Sequence, residues 1–255
     1  MIIRKTPEEI DKMAAAGAIL VRTLKMLEGK VREGVTTADL DRAAEKYIRS
    51  QGATPAFKGY RGLPGSLCTS PNEMVVHGIP GGYELKRGDV ISVDCGVVLD
   101  GWVADAARTF VVGGDAAATP LVRKLLETTR RSLFDAVPQC RPGNHLGDVS
   151  NAVQTTVEAE GLSIVRSLVG HGIGRSMHED PQIPNFGEPG RGPLLQPGMT
   201  LAIEPMITAG DAGVYTGEDR WSIYTRDDSL AAHFEHTVAV TESSPRVLTA
   251  AGVRV

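Results

Sequence analysis

Two ten-residue stretches that lie 110 positions apart read almost alike, and each ends in a carboxylate. Residues 85–94 run Leu-Lys-Arg-Gly-Asp-Val-Ile-Ser-Val-Asp, and residues 195–204 run Leu-Gln-Pro-Gly-Met-Thr-Leu-Ala-Ile-Glu. An acid at the end of an apolar strand is costly to bury alone, because an unpaired charge loses its hydration. Asp94 and Glu204 in duplicated positions therefore indicate two related half-domains that face one shared site, where cations would offset the desolvation.

A third acid, Asp105, can be placed relative to Asp94 by the turn between them. Asp100-Gly101 is a strong signal for a two-residue hairpin turn, because both turn positions need positive φ. With that turn, Asp105 faces Gly96 and lies diagonal to Asp94, about 7–8 Å away at the backbone. Acids this close repel unless they are protonated or bound to metal. Gly96 is expected to leave open space opposite Asp105; a bulge or another register would instead turn one acid to solvent.

Two of the six histidines lie in the glycine-rich segment 170–181, which reads Gly-His-Gly-Ile-Gly-Arg-Ser-Met-His-Glu-Asp-Pro. The three glycines around His171 allow the backbone and the imidazole to approach a ligand closely. We therefore expect His171 and His178 to serve chemistry rather than packing. His77 is a weaker candidate when taken alone. The other histidines are expected to have structural roles: His145, His233 and His236.

Glu235 is a further acid inside an apolar strand, so that four carboxylates and one or two imidazoles can converge. This mostly oxygen set suits Mn²⁺, Fe²⁺ or Co²⁺ better than a structural zinc ion, which prefers Cys and His. Four acids exceed the needs of one catalytic ion, and they can bridge two ions about 3.5–4 Å apart that activate water. The sequence therefore predicts metal-assisted hydrolysis. Glu204, taken singly, could instead be a structural acid in an ion pair.

Helical patterns occur in two pairs, and each pair is followed by strand-like segments. The order is the same unit twice, in agreement with the repeated stretches. It predicts an α+β fold with antiparallel strands and helices on one face, in a single domain 1–255 with halves of roughly 1–115 and 116–255. Capping residues and apolar spacing predict helices from Pro7 to Leu27, from Thr36 or Thr37 to just before Gly52, from Pro120 to about Val137, and over 146–160.

Composition limits the classes of function that remain. The formal charge of −4 gives no electrostatic footprint for nucleic acid or for an anionic membrane. No segment reads as a signal peptide or as a membrane span. The three cysteines form no CxxC pair and no even disulfide framework, which favours reduced thiols. We expect a cytoplasmic globular protein.

Taken together, the segments that carry these acids and histidines resemble the type I methionine aminopeptidases, which have the "pita-bread" fold. The resemblance covers nearly the whole chain. It implies two divalent metal ions per chain (Co²⁺, Mn²⁺ or Fe²⁺) that activate water to attack the first peptide bond. The segments that carry it are 72–80, 91–105, 170–181, 201–206 and 235–240. The metal ligands that it implies are Asp94, Asp105, His171, Glu204 and Glu235.

The resemblance also implies a role for each group. Asp105 and Glu235 would bridge the two ions, and Glu204 would take the proton of the attacking water and pass it toward the leaving amine. His178 would lie near the scissile carbonyl and His77 near the following amide. The implied substrate side-chain pocket is lined by Tyr60, Cys68, Met177 and Trp221.

This chain departs from the usual pattern of those relatives at positions that are not metal ligands. Relatives usually have an aromatic residue at Met177, a tyrosine at Leu63 and a histidine at Arg61. They usually have His-Gly where this chain has Val103-Ala104. We expect these changes to alter the pocket shape, the rate and the residue preference more than the reaction.

The expected function is removal of the N-terminal methionine from nascent proteins when the second residue is small, by a monomer in transient contact with the ribosome. A proline-directed peptidase of the same fold is the second enzyme hypothesis, but such relatives usually carry an extra N-terminal domain, and only about 70 residues precede the His77 strand. Type II relatives carry a late insertion, for which the spacing from His178 to Glu235 leaves no room. A non-catalytic binding protein of this fold would be expected to lack a ligand, and all five are present.

Overall fold

This computed structural model describes residues 1–250 of the chain. They form four α-helices and fifteen strands, which are joined by loops and short 3₁₀ turns. Each helix of the first pair begins at a capping box, in which Thr6 or Thr36 and the acid three residues later satisfy each other's backbone N–H groups. Proline occupies the first turn of the first and third helices, as predicted. The helices are α1 Pro7–Glu28, α2 Thr37–Ser50, α3 Pro120–Ala136 and α4 Leu146–Ala159.

The strands form four sheets in which every described pairing is antiparallel, so the predicted α+β class is confirmed. Their bounds are β1 Thr54–Pro55, β2 Leu67–Pro71, β3 Met74–Val76, β4 Val90–Leu99, β5 Trp102–Val111, β6 Ser163–Ile164, β7 Val169–Gly172, β8 Glu179–Pro184, β9 Thr200–Ile203, β10 Met206–Thr208, β11 Val214–Thr216, β12 Ile223–Thr225, β13 Ala231–His233, β14 His236–Ala239 and β15 Arg246–Val247. The two largest sheets are β1-β4-β2 with β5 on β4, and β15-β14-β9-β7-β8. The smaller ones are β13-β10-β6 and β11-β12-β3.

The predicted hairpin between β4 and β5 is confirmed in its turn and in its register. Asp100 and Gly101 both have positive φ, at 51° and 76°. The ladder runs unbroken along both strands and pairs Gly96 with Asp105. Asp94 therefore lies diagonal to Asp105 on the same face of the sheet.

The repeated stretches adopt the same local geometry. Gly88 and Gly198 are both left-handed, with φ of 94° and 92°, a conformation that favours glycine. The Gly88 N–H donates to the Val112 carbonyl, and the Gly198 N–H donates to the Val240 carbonyl. In each case a strand of the central sheets, β4 or β9, begins two residues after the glycine.

Each helix pair packs on its own sheet, which gives two cores with equivalent construction. In the first, buried side chains such as Leu40 of α2 pack with Ile91 of β4. In the second, Val149 of α4 packs with Leu201 of β9. Burial of these apolar faces fixes the helices on the outside, so the opposite faces of the sheets are left to form a site. Within residues 1–250, no helix is both long and apolar enough to cross a membrane.

The two halves are joined by a reciprocal pair of threonine hydrogen bonds. The Thr237 hydroxyl accepts from the Asp105 N–H at 3.0 Å and donates to the Asp105 carbonyl at 2.8 Å. The Thr109 hydroxyl makes the same two bonds with His233, at 2.9 and 2.8 Å. Each half thus fixes a backbone unit of the other at the centre of the molecule.

Candidate metal centre

The five residues predicted as metal ligands converge on one cavity. Asp94 and Asp105 reach it from β4 and β5, and His171 reaches it from β7. Glu204 directly follows β9, and Glu235 lies between β13 and β14. All five line a cavity of about 130 Å³ between the two halves. Donors that are up to 141 positions apart in the chain are therefore side by side in the fold.

The donor atoms are close together, and several of them lack a partner. Asp105, His171 and Glu235 each offer a donor atom within 4.8 Å of the others. The His171 Nε2 atom is 3.6 Å from Glu204 Oε1. Buried oxygens of Asp94, Asp105 and Glu235 have no hydrogen-bond partner among the described residues. Because unpaired buried oxygens are costly, this set fits divalent cations.

The acidity of the cluster supports the same fit. Burial, followed by repulsion from neighbouring acids, raises the pKa values of Asp94, Glu204 and Glu235 well above the ordinary range for carboxyl groups. Burial also raises the pKa of Asp105 to about 7. Bound cations would replace the protons that such acids otherwise retain, and would stabilise the ionised forms.

His171 is oriented as a metal-binding histidine usually is. Its Nδ1 donates to the Gly172 carbonyl at 2.9 Å, which leaves the Nε2 lone pair directed at the acids. Burial lowers the pKa of His171 and so favours the neutral ring. The flanking glycines are required by the packing of β7, since a Cβ at Gly170 would lie 2.3 Å from the Ala202 carbonyl oxygen.

His178 and His77 lie at the cavity as neutral bases. The His178 ring centroid is 4.3 Å from that of His171, and its Nδ1 is 2.7 Å from the Tyr60 hydroxyl. Burial, aided by repulsion from His171 and Arg61, lowers the pKa of His178 to about 4. Burial also lowers the pKa of His77, with a smaller contribution from His178. Neither ring is a charged group at neutral pH.

The apolar end of the cavity contains three of the four residues predicted for the substrate pocket. Tyr60, Cys68 and Trp221 line it, and so does Phe57, which no sequence pattern had indicated. Burial raises the pKa of the Cys68 thiol, with further contributions from nearby acids, so this cysteine is a neutral, packing side chain. Of the positions at which this chain differs from the usual family residues, Arg61 and Leu63 line the cavity. The others are buried and do not line it: Met177, Val103 and Ala104.

The expectation of open space opposite Asp105 was wrong. A Cβ at Gly96 would lie 2.8 Å from the Met177 Cε and 2.9 Å from atoms of Phe57 and Ala56. Gly96 therefore makes room for side chains from distant segments rather than for a ligand. Met177 packs against this glycine behind the cavity wall.

His233, expected to be structural, lies at the acid cluster. Its Nε2 is 3.7 Å from Glu204 Oε2, and neither ring nitrogen has a hydrogen-bond partner among the described residues. Burial, with some repulsion from His77, lowers its pKa to about 3. The signal for this position was its spacing of two residues from Glu235, since in an extended chain residues two apart point to the same side. His236, in contrast, bonds Thr249 through Nδ1 at 2.9 Å.

The fold and this buried cluster of acids and imidazoles define a metallopeptidase. The family model described as "Metallopeptidase family M24" matches residues 11–242, and the chain belongs to this family. It is 53% identical to the methionine aminopeptidase of Clostridium perfringens, over 98% of this chain and 99% of that relative. It is 49% identical to methionine aminopeptidase 1 of Bacillus subtilis, with the same coverage. The predicted resemblance is confirmed, and the chain is a metal-dependent aminopeptidase.

Solved structures give the same result. The methionine aminopeptidase of Thermotoga maritima matches with a TM-score of 0.95 and 44% identity, over 98% of this chain and 100% of that one. The prolidase of Pyrococcus furiosus matches with a TM-score of 0.80 at 23% identity, over 98% of this chain and 66% of that one. The second likeness concerns the fold alone, and with the first it confirms the pita-bread architecture.

Proposed function

We propose that this chain removes the N-terminal methionine from nascent proteins whose second residue is small. The observation that carries the proposal is the convergence of five donor side chains, three of them with unpaired buried oxygens, beside a small apolar pocket. The printed names of the relatives, methionine aminopeptidase in each case, support methionine as the residue removed. We further propose that the protein acts in the cytoplasm, as a monomer in transient contact with the ribosome.

Two divalent ions (Co²⁺, Mn²⁺ or Fe²⁺) would be held by the five donors described above. Asp105 and Glu235 would hold them together with His171, because both acids are buried and each offers a donor atom within 4.8 Å of a donor atom of that histidine. When bound, the ions supply Lewis-acid activation of water and of the substrate carbonyl. The substrate's free α-amine would be held at the same acids, which accounts for cleavage at the chain end only.

The side chains around the ions have separate tasks. Glu204, whose carboxylate lies 3.6 Å from His171 Nε2, is proposed to take a proton from the attacking water and to pass it toward the leaving amine. If the Tyr60 hydroxyl donates to His178 Nδ1, then the neutral ring carries its proton on Nε2. That N–H would stabilise the carbonyl oxygen as negative charge develops. His77 is proposed to bind the following amide.

The pocket is suited to one unbranched side chain. The whole cavity, with the acid cluster included, has a volume of about 130 Å³, well below the roughly 300–1,000 Å³ typical of pockets that hold whole small ligands. The aromatic rings of Phe57 and Trp221 and the Cys68 thiol are suitable neighbours for a flexible thioether. We infer that the limited space beyond this residue is what disfavours a large second residue.

The test is methionine release from Met-Ala-Ser and Met-Leu-Ser by metal-stripped protein, with Mn²⁺, Co²⁺ or Fe²⁺ added back. The first peptide is expected to be cleaved and the second hardly at all. Absence of release with every metal, from protein shown to be folded, would refute the proposal. Release of leucine from Leu-Pro, with no methionine release from Met-Ala-Ser, would favour a proline-directed peptidase instead.

His178→Ala separates substrate binding from metal binding. This variant is expected to lose about 100-fold in kcat, the effect typical of a lost oxyanion donor, while its metal content stays normal. Metal content is measured by elemental analysis after gel filtration. Loss of metal in the variant would make His178 a ligand and would contradict its proposed role.

A further inference from the structure

Arg61 is placed where it can act on the substrate beyond its first residues. It lines the same cavity as the acid cluster, and its side chain is exposed at the opening. Among the described residues that line the cavity, it is the only lysine or arginine. The deeper wall consists of acids, histidines and apolar groups. A peptide held by its first residue therefore has one permanent cation, Arg61, beside it where the cavity meets solvent.

The backbone holds Arg61 in a fixed position. It is the central residue of a short 3₁₀ turn, Tyr60–Gly62, and its own φ is positive at 48°. The turn is closed by the Gly59 N–H, which donates to the Leu63 carbonyl at 2.8 Å. The nearest side chains on either side of it in the chain, those of Tyr60 and Leu63 (Gly62 has none), also line the cavity. The backbone of Arg61 is thus fixed at the rim of the cavity by a hydrogen-bonded turn.

The guanidinium has no charged partner of its own. Its central carbon lies 5.4 Å from the centroid of the Tyr60 ring, a cation–π arrangement that positions the charge without neutralising it. Among the described residues, no acid forms an ion pair or hydrogen bond with it. Nearby Lys58, in contrast, is paired with Glu45 at 2.5 Å. The charge of Arg61 therefore remains available to a ligand.

We propose that Arg61 is a specificity-determining residue that favours substrates with acidic side chains at their third and fourth residues and disfavours basic ones. The inference rests on the proposed function, since it requires the first residue in the pocket and the second at the ions. Side chains that follow the small second residue then pass the rim of the cavity. A fixed positive charge at that rim attracts carboxylates and repels ammonium groups.

The effect is expected in binding rather than in chemistry. Exposed charge pairs are weak, so that kcat/KM should differ about fivefold between acidic and basic substrates at low salt. Because the contact is the same in the ground state and in the transition state, the difference should lie in KM, with kcat nearly unchanged. Added salt should reduce it, because exposed charges are screened.

The experiment compares three C-terminally amidated peptides, Met-Ala-Asp-Asp-Ser, Met-Ala-Ser-Ser-Ser and Met-Ala-Lys-Lys-Ser, with metal-loaded protein. The amide removes the terminal carboxylate, which would otherwise bind the same arginine. Wild-type protein should prefer them in that order. Arg61→Gln should remove the preference, Arg61→Glu should reverse it, and Arg61→Lys should retain most of it, since it keeps the charge.

Arg220 offers a matched control. It too is an exposed arginine with positive φ, at 63°, and it adjoins the lining residue Trp221 without lining the cavity itself. Arg220→Gln should leave the order of preference unchanged. Equal KM values for the three peptides in wild type, or an unchanged preference in Arg61→Gln, would overturn the inference while the cleavage itself upholds the proposed function. Failure to cleave any of the three peptides would overturn both.

Discussion

The two halves build their strand pairs around the site differently. In the first half, β4 and β5 are each ten residues long and form one uninterrupted ladder. In the second half, β9 and β10 pair with β14 and β13 in a single register, but both strands break at the site. The break contains Glu204-Pro205 on one strand and Phe234-Glu235 on the other, and the Phe234 N–H donates to the Pro205 carbonyl at 3.3 Å. Proline cannot donate to the ladder, so the interruption follows from the sequence.

The threonine bonds show which positions correspond. Thr109 holds His233 as Thr237 holds Asp105, so His233 is the counterpart of Asp105 in the second half. Glu204 is the counterpart of Asp94 by the repeated stretch.

The acids, however, are not placed alike. The first half has Ala107 directly opposite Asp94 and an acid on the diagonal. The register of the second half places Glu235 directly opposite Glu204, and a histidine occupies the diagonal. The duplicated scaffold thus supplies its second carboxylate from the diagonal position in one half and from the directly opposite position in the other. As a result, the acids lie around the cavity rather than along one wall of it.

Removal of one central acid from each half tests whether the halves contribute equally. Asp105→Asn and Glu235→Gln keep the shape of the side chain but remove its charge, so each should lower kcat by about 1,000-fold, the upper range for loss of one electrostatic group at a reacting centre. Turnover and bound metal are measured together. A near-normal rate in either variant with added metal would contradict the proposed role of that acid as a metal ligand.

Without bound metal, the free energy of unfolding should depend on pH, because the buried acids then have no cations to compensate their charge. In metal-free protein the pKa of Asp105 is about 7, above its ordinary value of 3.8. The folded state then binds this proton more tightly than the unfolded state does. The free energy of unfolding should therefore fall as pH rises from about 4 to about 7, by about 1.4 kcal/mol per pH unit for each such group.

Urea denaturation of metal-free and metal-loaded protein between pH 5 and pH 7.5 measures this fall. Metal-loaded protein should show little of it, and metal-free Asp105→Asn should show a shallower fall than metal-free wild type. A free energy of unfolding that stays level or rises with pH in the metal-free protein would show that the folded state does not retain the proton of Asp105.

His233 tests whether the counterpart of Asp105 supports the site. His233→Ala should lower kcat by about tenfold, the lower range for groups that orient a metal ligand, because Glu204 loses its polar neighbour. His233→Gln retains a donor near that carboxylate and should recover most of the rate. Equal activity of the alanine variant and wild type would assign His233 a packing role only.

The threonine bonds should give the smallest effect, and it should be on stability alone. Thr237→Val and Thr109→Val each leave a buried N–H and C=O without their partner, which costs about 1–3 kcal/mol. The two variants should lose similar free energies of unfolding in denaturant titrations, with a somewhat larger loss for Thr109→Val, because the Thr109 hydroxyl also lies 2.9 Å from the Ser92 hydroxyl. A loss confined to one variant would show that the halves are not joined symmetrically.

The sequence by itself determined the parts of this protein that depend on near neighbours. Thr6 and Thr36 cap helices through residues three positions away, and Asp100-Gly101 sets the register of β4 and β5 within one hairpin. The position of Asp94 beside Asp105 follows from that register. The repeat and the family resemblance then supplied the remaining positions predicted as metal ligands.

Only the tertiary structure decided the contacts between distant segments. Met177 fills the space above Gly96, His233 lies against Glu204, and Arg61 stands at the rim of the cavity without an acidic partner among the described residues. These features depend on how two sheets pack across the centre of the molecule. Packing is fixed by the combined shape of many side chains, and neither periodicity nor turn signals carry that information.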